Sequence, residues 1–165
     1  MIKIGYHLLD FKVVFFMFLA LIASPLLCGQ NTFTMCLIFS HYITVYLNNF
    51  FLLFLYQYVY RFHQLMYPMI MRIGQETFYI MSYIWVVGLG FIYNFILYIS
   101  YYFFFGPLKD YEVMVSILFM ISNLMMCGLE CSFVYLQLGK KKNFIYLALH
   151  IFMNFIFHFI WLECL

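Results

Sequence analysis

Long apolar runs alternate with short polar breaks along this chain, and the runs have membrane-spanning length. Stretches over roughly residues 13–28, 33–60, 78–105, 113–138 and 144–161 predict five helices. The second run corresponds to roughly 42 Å of helix, beyond a hydrocarbon layer of about 30 Å, so it is expected to tilt, bend or project. Tyr56, Tyr58 and Tyr60 at its end read as an interfacial anchor. The first run carries Pro25 near its end. Leu27 before Cys28 does not fit a small-residue cleavage site, so the run reads as a retained helix.

Charge gives the runs a direction. Lys3 and Lys12 precede the first, Arg61 and Arg72 follow the second, and Lys140, Lys141 and Lys142 lie between the fourth and fifth. Only Lys109 falls elsewhere, beside Asp110 and Glu112. Translocating basic residues is costly, which places the N-terminus inside and the C-terminus outside. The expected fold class is therefore all-α, a polytopic membrane protein of about five transmembrane helices in one domain, 1–165. An amphipathic cytoplasmic connector, 61–77, joins helices two and three.

Composition agrees, at 68% hydrophobic and 8% charged residues with a mean hydropathy of +1.00. A soluble domain has about 25% charged residues. The net charge of +2 marks topology rather than nucleic acid, so the bilayer is the expected surrounding. Cys28, Cys36, Cys127, Cys131 and Cys164 form no CxxC pair, which argues against a disulfide framework or a zinc site and for small buried side chains.

Polar residues inside the runs are the candidate chemistry. Glu130 is the one acidic residue well inside a span, and such a residue is by default a functional candidate. Asn123, Cys127, Glu130 and Gln137 share one face of helix four. His150, Asn154 and His158 share one face of helix five. Counted from the Lys140–Lys142 turn, Glu130 and His150 lie at similar depth and are expected to meet. The opposing reading is that these side chains only glue helices together, at roughly 0.6–2 kcal/mol per hydrogen bond. Helix two carries Ser40, Thr44 and Asn48, with His41 and Asn49 beside them, and helix three carries Asn94 near Gly88 and Gly90. These faces, too, are suited to a shared interior.

In the connector, Phe62, Leu65, Met66, Met69 and Ile73 follow helical spacing while Arg61, Gln64, Arg72 and Gln75 face elsewhere. Pro68 suits a helix start and Gly74 a helix stop. The segment reads as one or two short amphipathic helices at the inner surface, either a simple link or a coupling element.

The run Tyr67-Pro68-Met69-Ile70-Met71-Arg72-Ile73-Gly74, leading into the span at Phe78, resembles the connector before the third span in small permease subunits of type-2 export-class ATP-binding-cassette transporters. The likeness is closest to those of low-GC Gram-positive bacteria linked to bacteriocin or peptide export. It covers about a quarter of the chain. The family usually has six spans where this chain has five, and basic residues commonly follow its Gly where Gln75 and Glu76 stand here. The resemblance implies that Arg72 and Gly74, with Arg61, form the surface contacting a cytoplasmic ATPase subunit, and that a second permease subunit completes the transporter.

No GxxxxGK[ST], HExxH or GxSxG motif occurs, so no enzymatic role, cofactor or metal is expected, and any ATPase is a separate chain. The expected function is an ATP-driven exporter's membrane-spanning permease subunit in a bacterial plasma membrane. The alternative is a small structural subunit of a larger energy-converting or secretion assembly, including one of an organellar inner membrane. An ion or proton channel is third.

Overall fold

A computed structural model describes residues 11–28, 32–38, 42–106, 112–138, 140 and 144–163. Lys3, Ser40, His41, the 107–111 turn, Lys141, Lys142 and Cys164 lie outside the described residues, as does the side chain of Thr44. The described residues form seven α-helices and one π-helical turn, without strands.

Helix α1, Phe11–Leu27, holds Pro25 in its last turn. Proline has no N–H for the Leu21 carbonyl, and Ser24 Oγ donates to that oxygen instead, at 2.8 Å. Helix α2, Phe33–Ile38, follows. A disulfide joins Cys28 to Cys36, with Cα atoms 6.0 Å apart. That separation lies within the range of about 4.4–6.8 Å usual for a disulfide. Both cysteines are buried, as expected, but the bridge corrects the expectation that they are unpaired. Cys127 and Cys131 are free and buried.

The expected helix over 33–60 is also corrected. After α2 the chain makes a π-helical turn at Tyr42–Leu47 and then α3, Asn48–Gln64. Asn49 Nδ2 donates to the Val45 carbonyl at 2.7 Å. A side chain entering the backbone ladder is a recognised cause of local widening and bending. Hydropathy averaged over the run does not register it.

Arg61–Gln64 extend α3 rather than forming part of a separate connector, and Leu65 alone breaks it from α4, Met66–Ile73. Pro68 is the third residue of α4, not its first. The amide there has no intrahelical partner to lose. Gly74 ends α4, donating its N–H to Ile70 O at 2.9 Å. Its φ of 84° and ψ of 157° lie where essentially only glycine is found. The chain therefore enters α5, Gln75–Phe105, immediately, three residues before the expected Phe78. Helix α6 is Val113–Tyr135 and α7 is Phe144–Glu163. Residues 136–138, expected in the fourth span, form a turn.

The α5–α6 pair is the most extensive packing; α3 lies against α6, α1 against α5, and α7 against α3 and the π turn. Gly90 makes the α5–α6 approach possible. A Cβ there would lie 2.7 Å from Cys131 Sγ and 3.4 Å from Cys127 Sγ, whereas one at Gly88 would meet nothing within 4 Å. Only one of the two expected glycines is a contact, because residues two apart point to opposite sides of a helix. Gly90→Ala should cost about 1–3 kcal/mol through overpacking. Gly88→Ala should cost nothing. Unfolding of both variants in detergent checks the contrast.

Helices α5 and α6 are long and apolar enough to cross a bilayer; Val13–Leu27 and Ala148–Glu163 are apolar but shorter. Their outward side chains are large and apolar, including Ile80, Ile84 and Phe95 on α5 and Met114, Ile121 and Met125 on α6. Ser82, Asn94, Ser116, Asn123 and Glu130 lie inside.

Candidate functional site

The interior polar groups fall into two sets, one with its hydrogen bonds complete and one without. In the first, Asn48 of α3, Asn94 of α5 and Asn123 of α6 meet in one cluster. Asn48 Nδ2 donates to Asn123 Oδ1 at 2.9 Å. Asn123 Nδ2 donates to Asn94 Oδ1 at 3.1 Å and to Tyr98 Oη at 2.8 Å. Tyr93 Oη donates to Asn48 Oδ1 at 2.8 Å, and Asn94 Nδ2 closes the set on Gly90 O at 3.0 Å. Tyr93 is held by a flat stack on Phe51, ring centroids 4.3 Å apart. The polar faces of helices two, three and four thus converge, through the asparagines their spacing had singled out.

Sequence reasoning missed Tyr93 and Tyr98, because tyrosines read as membrane-surface anchors. Tyr56 and Tyr58 show the same error: both are buried, and Tyr58 packs edge-on to Phe62 at 5.0 Å. It missed Ser116 as well, although a signal was present. Ser116, Asn123, Glu130 and Gln137 recur every seven residues and all are buried. Ser116 shares a hydrogen bond with Thr34 Oγ1 at 2.9 Å, and Thr34 Oγ1 donates to Glu112 Oε2 at 2.7 Å. This fastens α2 to the start of α6 near the disulfide.

Glu130 and Gln137, the next two positions of the stripe, form the second set. Glu130 is 1% exposed, and its Oε1 has no hydrogen-bond partner among the described residues. Both amide atoms of Gln137 are in the same condition. Gln137 borders a small void lined also by Tyr56, Tyr60 and Lys140, about 10 Å³, which is room for about one water.

Glu130 and His150 do not meet. Neither ring nitrogen of His150 has a hydrogen-bond partner among the described residues, and the ring lies beside Phe133, centroids 5.8 Å apart. The expectation counted depth from the turn but assumed that α7 turns its polar face to α6. Instead Asn154 Nδ2 donates to Asn49 Oδ1 of α3 at 2.9 Å, aiming that face at α3 and the π turn. His158 is buried as well.

The α4 segment is a second candidate surface. Met66 and Met69 are buried, and Tyr79 Oη donates to Met66 Sδ at 3.8 Å. Tyr67 and Met71 are 75% and 87% exposed. Arg72 is exposed in the last turn, and Arg61 is half-buried near the end of α3. Leu65, expected on the apolar face with Phe62 and Met66, stands at the break between α3 and α4 and is exposed.

Among the described residues, no group of three or more His, Cys, Asp or Glu is arranged to hold a metal. Models of known families, curated proteins and solved structures yield no match to this chain.

Proposed function

We propose that this chain is the multi-pass, membrane-spanning permease subunit of an ATP-driven exporter, coupled to a separate cytoplasmic ATPase through the α4 segment. The observation that carries the reading is α4 itself. It is a short amphipathic helix fastened directly to two long helices by one residue on each side, Leu65 and Gly74. Its outward face of Tyr67, Met71 and Arg72 suits a partner surface. A push on that face moves α3 and α5 together, and with them the packing around Gly90 and the asparagine cluster.

Membrane insertion is supported by the inverted distribution of side chains, apolar outside and asparagine, histidine and glutamate inside. Two independent rules favour the same orientation. Arg61, Arg72 and Lys140 gather at one end, as retained basic residues do. The Cys28–Cys36 disulfide lies at the other, as bridges on the oxidising side do. Five spans, N-terminus inside, satisfy both. An apolar groove between α1, α3 and α5, walled by Met17, Phe18, Phe51, Leu89, Tyr93 and Ile96, has a cavity volume of about 130 Å³. It favours apolar or amphipathic cargo.

The test is purification of the tagged chain from its native membrane in mild detergent, with mass spectrometry of what accompanies it. An ATP-binding-cassette ATPase in near-stoichiometric amount, lost in Arg72→Glu, is the expected result. A set of other membrane subunits without such an ATPase would overturn the reading and leave a structural subunit of a larger complex.

A further inference from the structure

We propose that Glu130 is a proton-binding site that exchanges its proton through Gln137 with the Lys140 end of the bundle. The proposal rests on the membrane-spanning reading of the helices but needs no ATPase.

Its first ground is the contrast along the α6 stripe. Residues that merely hold helices together make hydrogen bonds, and Ser116 and Asn123 do so. Glu130, one stripe position further on, leaves Oε1 without a partner while buried to 1% exposure. That oxygen makes no hydrogen bond across helices among the described residues, which weighs against the glue reading for this residue. Unpaired buried polar groups in folded proteins call for a specific account, and an ionisable one inside a membrane span points to ion or proton handling.

The surroundings select the proton as ligand. Asn48 pairs with Asn123, so the register of the parallel helices α3 and α6 brings Leu55 level with Glu130. The antiparallel register of α5, fixed by Asn94 against Asn123, brings Val86 and Val87 level with it. On α7, His150 lies beside Phe133 and makes no hydrogen bond to the carboxyl. The titratable groups near enough to sense its charge are Cys127, Cys131 and Tyr93. None is a cation. One carboxyl without further oxygen ligands is a poor cage for a metal ion, whereas a proton needs only the carboxyl itself. The step is a single proton transfer: one O–H bond of hydronium breaks to leave water as one O–H bond forms on the carboxylate, and release reverses it.

The stripe also sets the direction of access. Towards the disulfide end, the completed asparagine–tyrosine cluster closes the interior across three helices. Towards the Lys140 end, Ser82 and Tyr135 hydrogen-bond to each other at 3.1 Å, and beyond them stands Gln137, whose amide has no hydrogen-bond partner among the described residues and borders a void of about 10 Å³. Space for one water beside an amide with free donor and acceptor capacity is a relay point. Proton exchange is therefore assigned to the Lys140 end, where Gln137 borders the void. Motion of α3 relative to α6, the pair that walls it, would change its exposure.

The test is an infrared pH titration of the full chain reconstituted in phospholipid vesicles, following the carbonyl stretch of a protonated carboxylic acid. The wild-type chain should show a titrating band that disappears in Glu130→Gln and persists, shifted, in Glu130→Asp. After a rapid pH jump, Gln137→Leu should slow its appearance by about tenfold. Glu130→Gln should also unfold no more easily than the wild type, which a structural role would not permit. A wild-type minus Glu130→Gln difference spectrum that holds no titrating carboxylic band would overturn the site. An unchanged rate in Gln137→Leu would overturn the route. Failure of the chain to enter vesicles at all would instead count against membrane spanning, a separate result.

Discussion

Asn123→Leu should cost the fold about 2–4 kcal/mol, the largest loss from any single interior change outside the disulfide. Asn123 takes one hydrogen bond from Asn48 and gives two, to Asn94 and Tyr98, so three contacts vanish together. Individual side-chain hydrogen bonds between membrane helices average about 0.6 kcal/mol and reach about 1.7. Three give the lower part of the expected range. The rest comes from the partners left behind. Asn48 and Asn94 stay buried with unpaired amide groups, a state costing about 1–3 kcal/mol for each group that finds no replacement. Leucine recovers little, since lipid is as apolar as its side chain and burial gives no hydrophobic gain. Equilibrium unfolding in mixed micelles measures the loss. Tyr98→Phe, which removes one contact, should cost about 0.6 kcal/mol. An Asn48→Ala, Asn123→Ala cycle should show coupling of similar size. A loss below about 0.5 kcal/mol for Asn123→Leu would mean that the cluster does not hold the three helices together.

What the sequence made legible is periodic, and what it hid depends on a second helix. Asn123 and Glu130 were visible on one face because helical spacing alone puts them there, whereas Gln137 lies in the turn after α6. Asn48 and Asn94 were visible because any asparagine in an apolar run is conspicuous. That they meet depends on the register between α3, α5 and α6, which no single helix encodes. The Glu130–His150 pairing failed for the same reason. Depth along α7 was readable, but its rotation is set by Asn154 against Asn49 of α3, a contact 105 residues apart in sequence. Gly88 and Gly90 looked equivalent until the partner was placed, and then only Gly90 faced it. The break at Tyr42–Leu47 escaped because hydropathy responds to side-chain character and not to hydrogen-bond geometry. Of the connector, the stop at Gly74 and the buried Met66 and Met69 were legible because they act locally, whereas its two ends belong to α3 and α5.

The disulfide was the least legible feature and supports the second large prediction. Paired replacement of Cys28 and Cys36 by serine should lower stability by about 2–3 kcal/mol, the loop-closure entropy for bridged residues separated by 8 positions. The effect should be confined to the end of α1. Helix α2 keeps a second fastening, because Thr34 still bonds Glu112 and Ser116. Helix α1 retains its apolar packing on α5 but loses its covalent tie to α2. Hydrogen exchange at Leu26 and Leu27 should rise in the double variant while exchange at Leu37 and Ile38 changes little. The bridge also reports orientation. On intact cells, a membrane-impermeant reductant followed by an impermeant maleimide should label Cys28 ahead of the fully buried Cys36, and omission of the reductant should leave both unlabelled. Labelling without reduction would remove the bridge. Labelling only after the cells are opened would reverse the topology and put α4 on the outer surface, where no cytoplasmic ATPase can reach it. The experiment therefore bears on the coupling role of Arg72 as directly as on the cysteines, because one bundle fixes both ends.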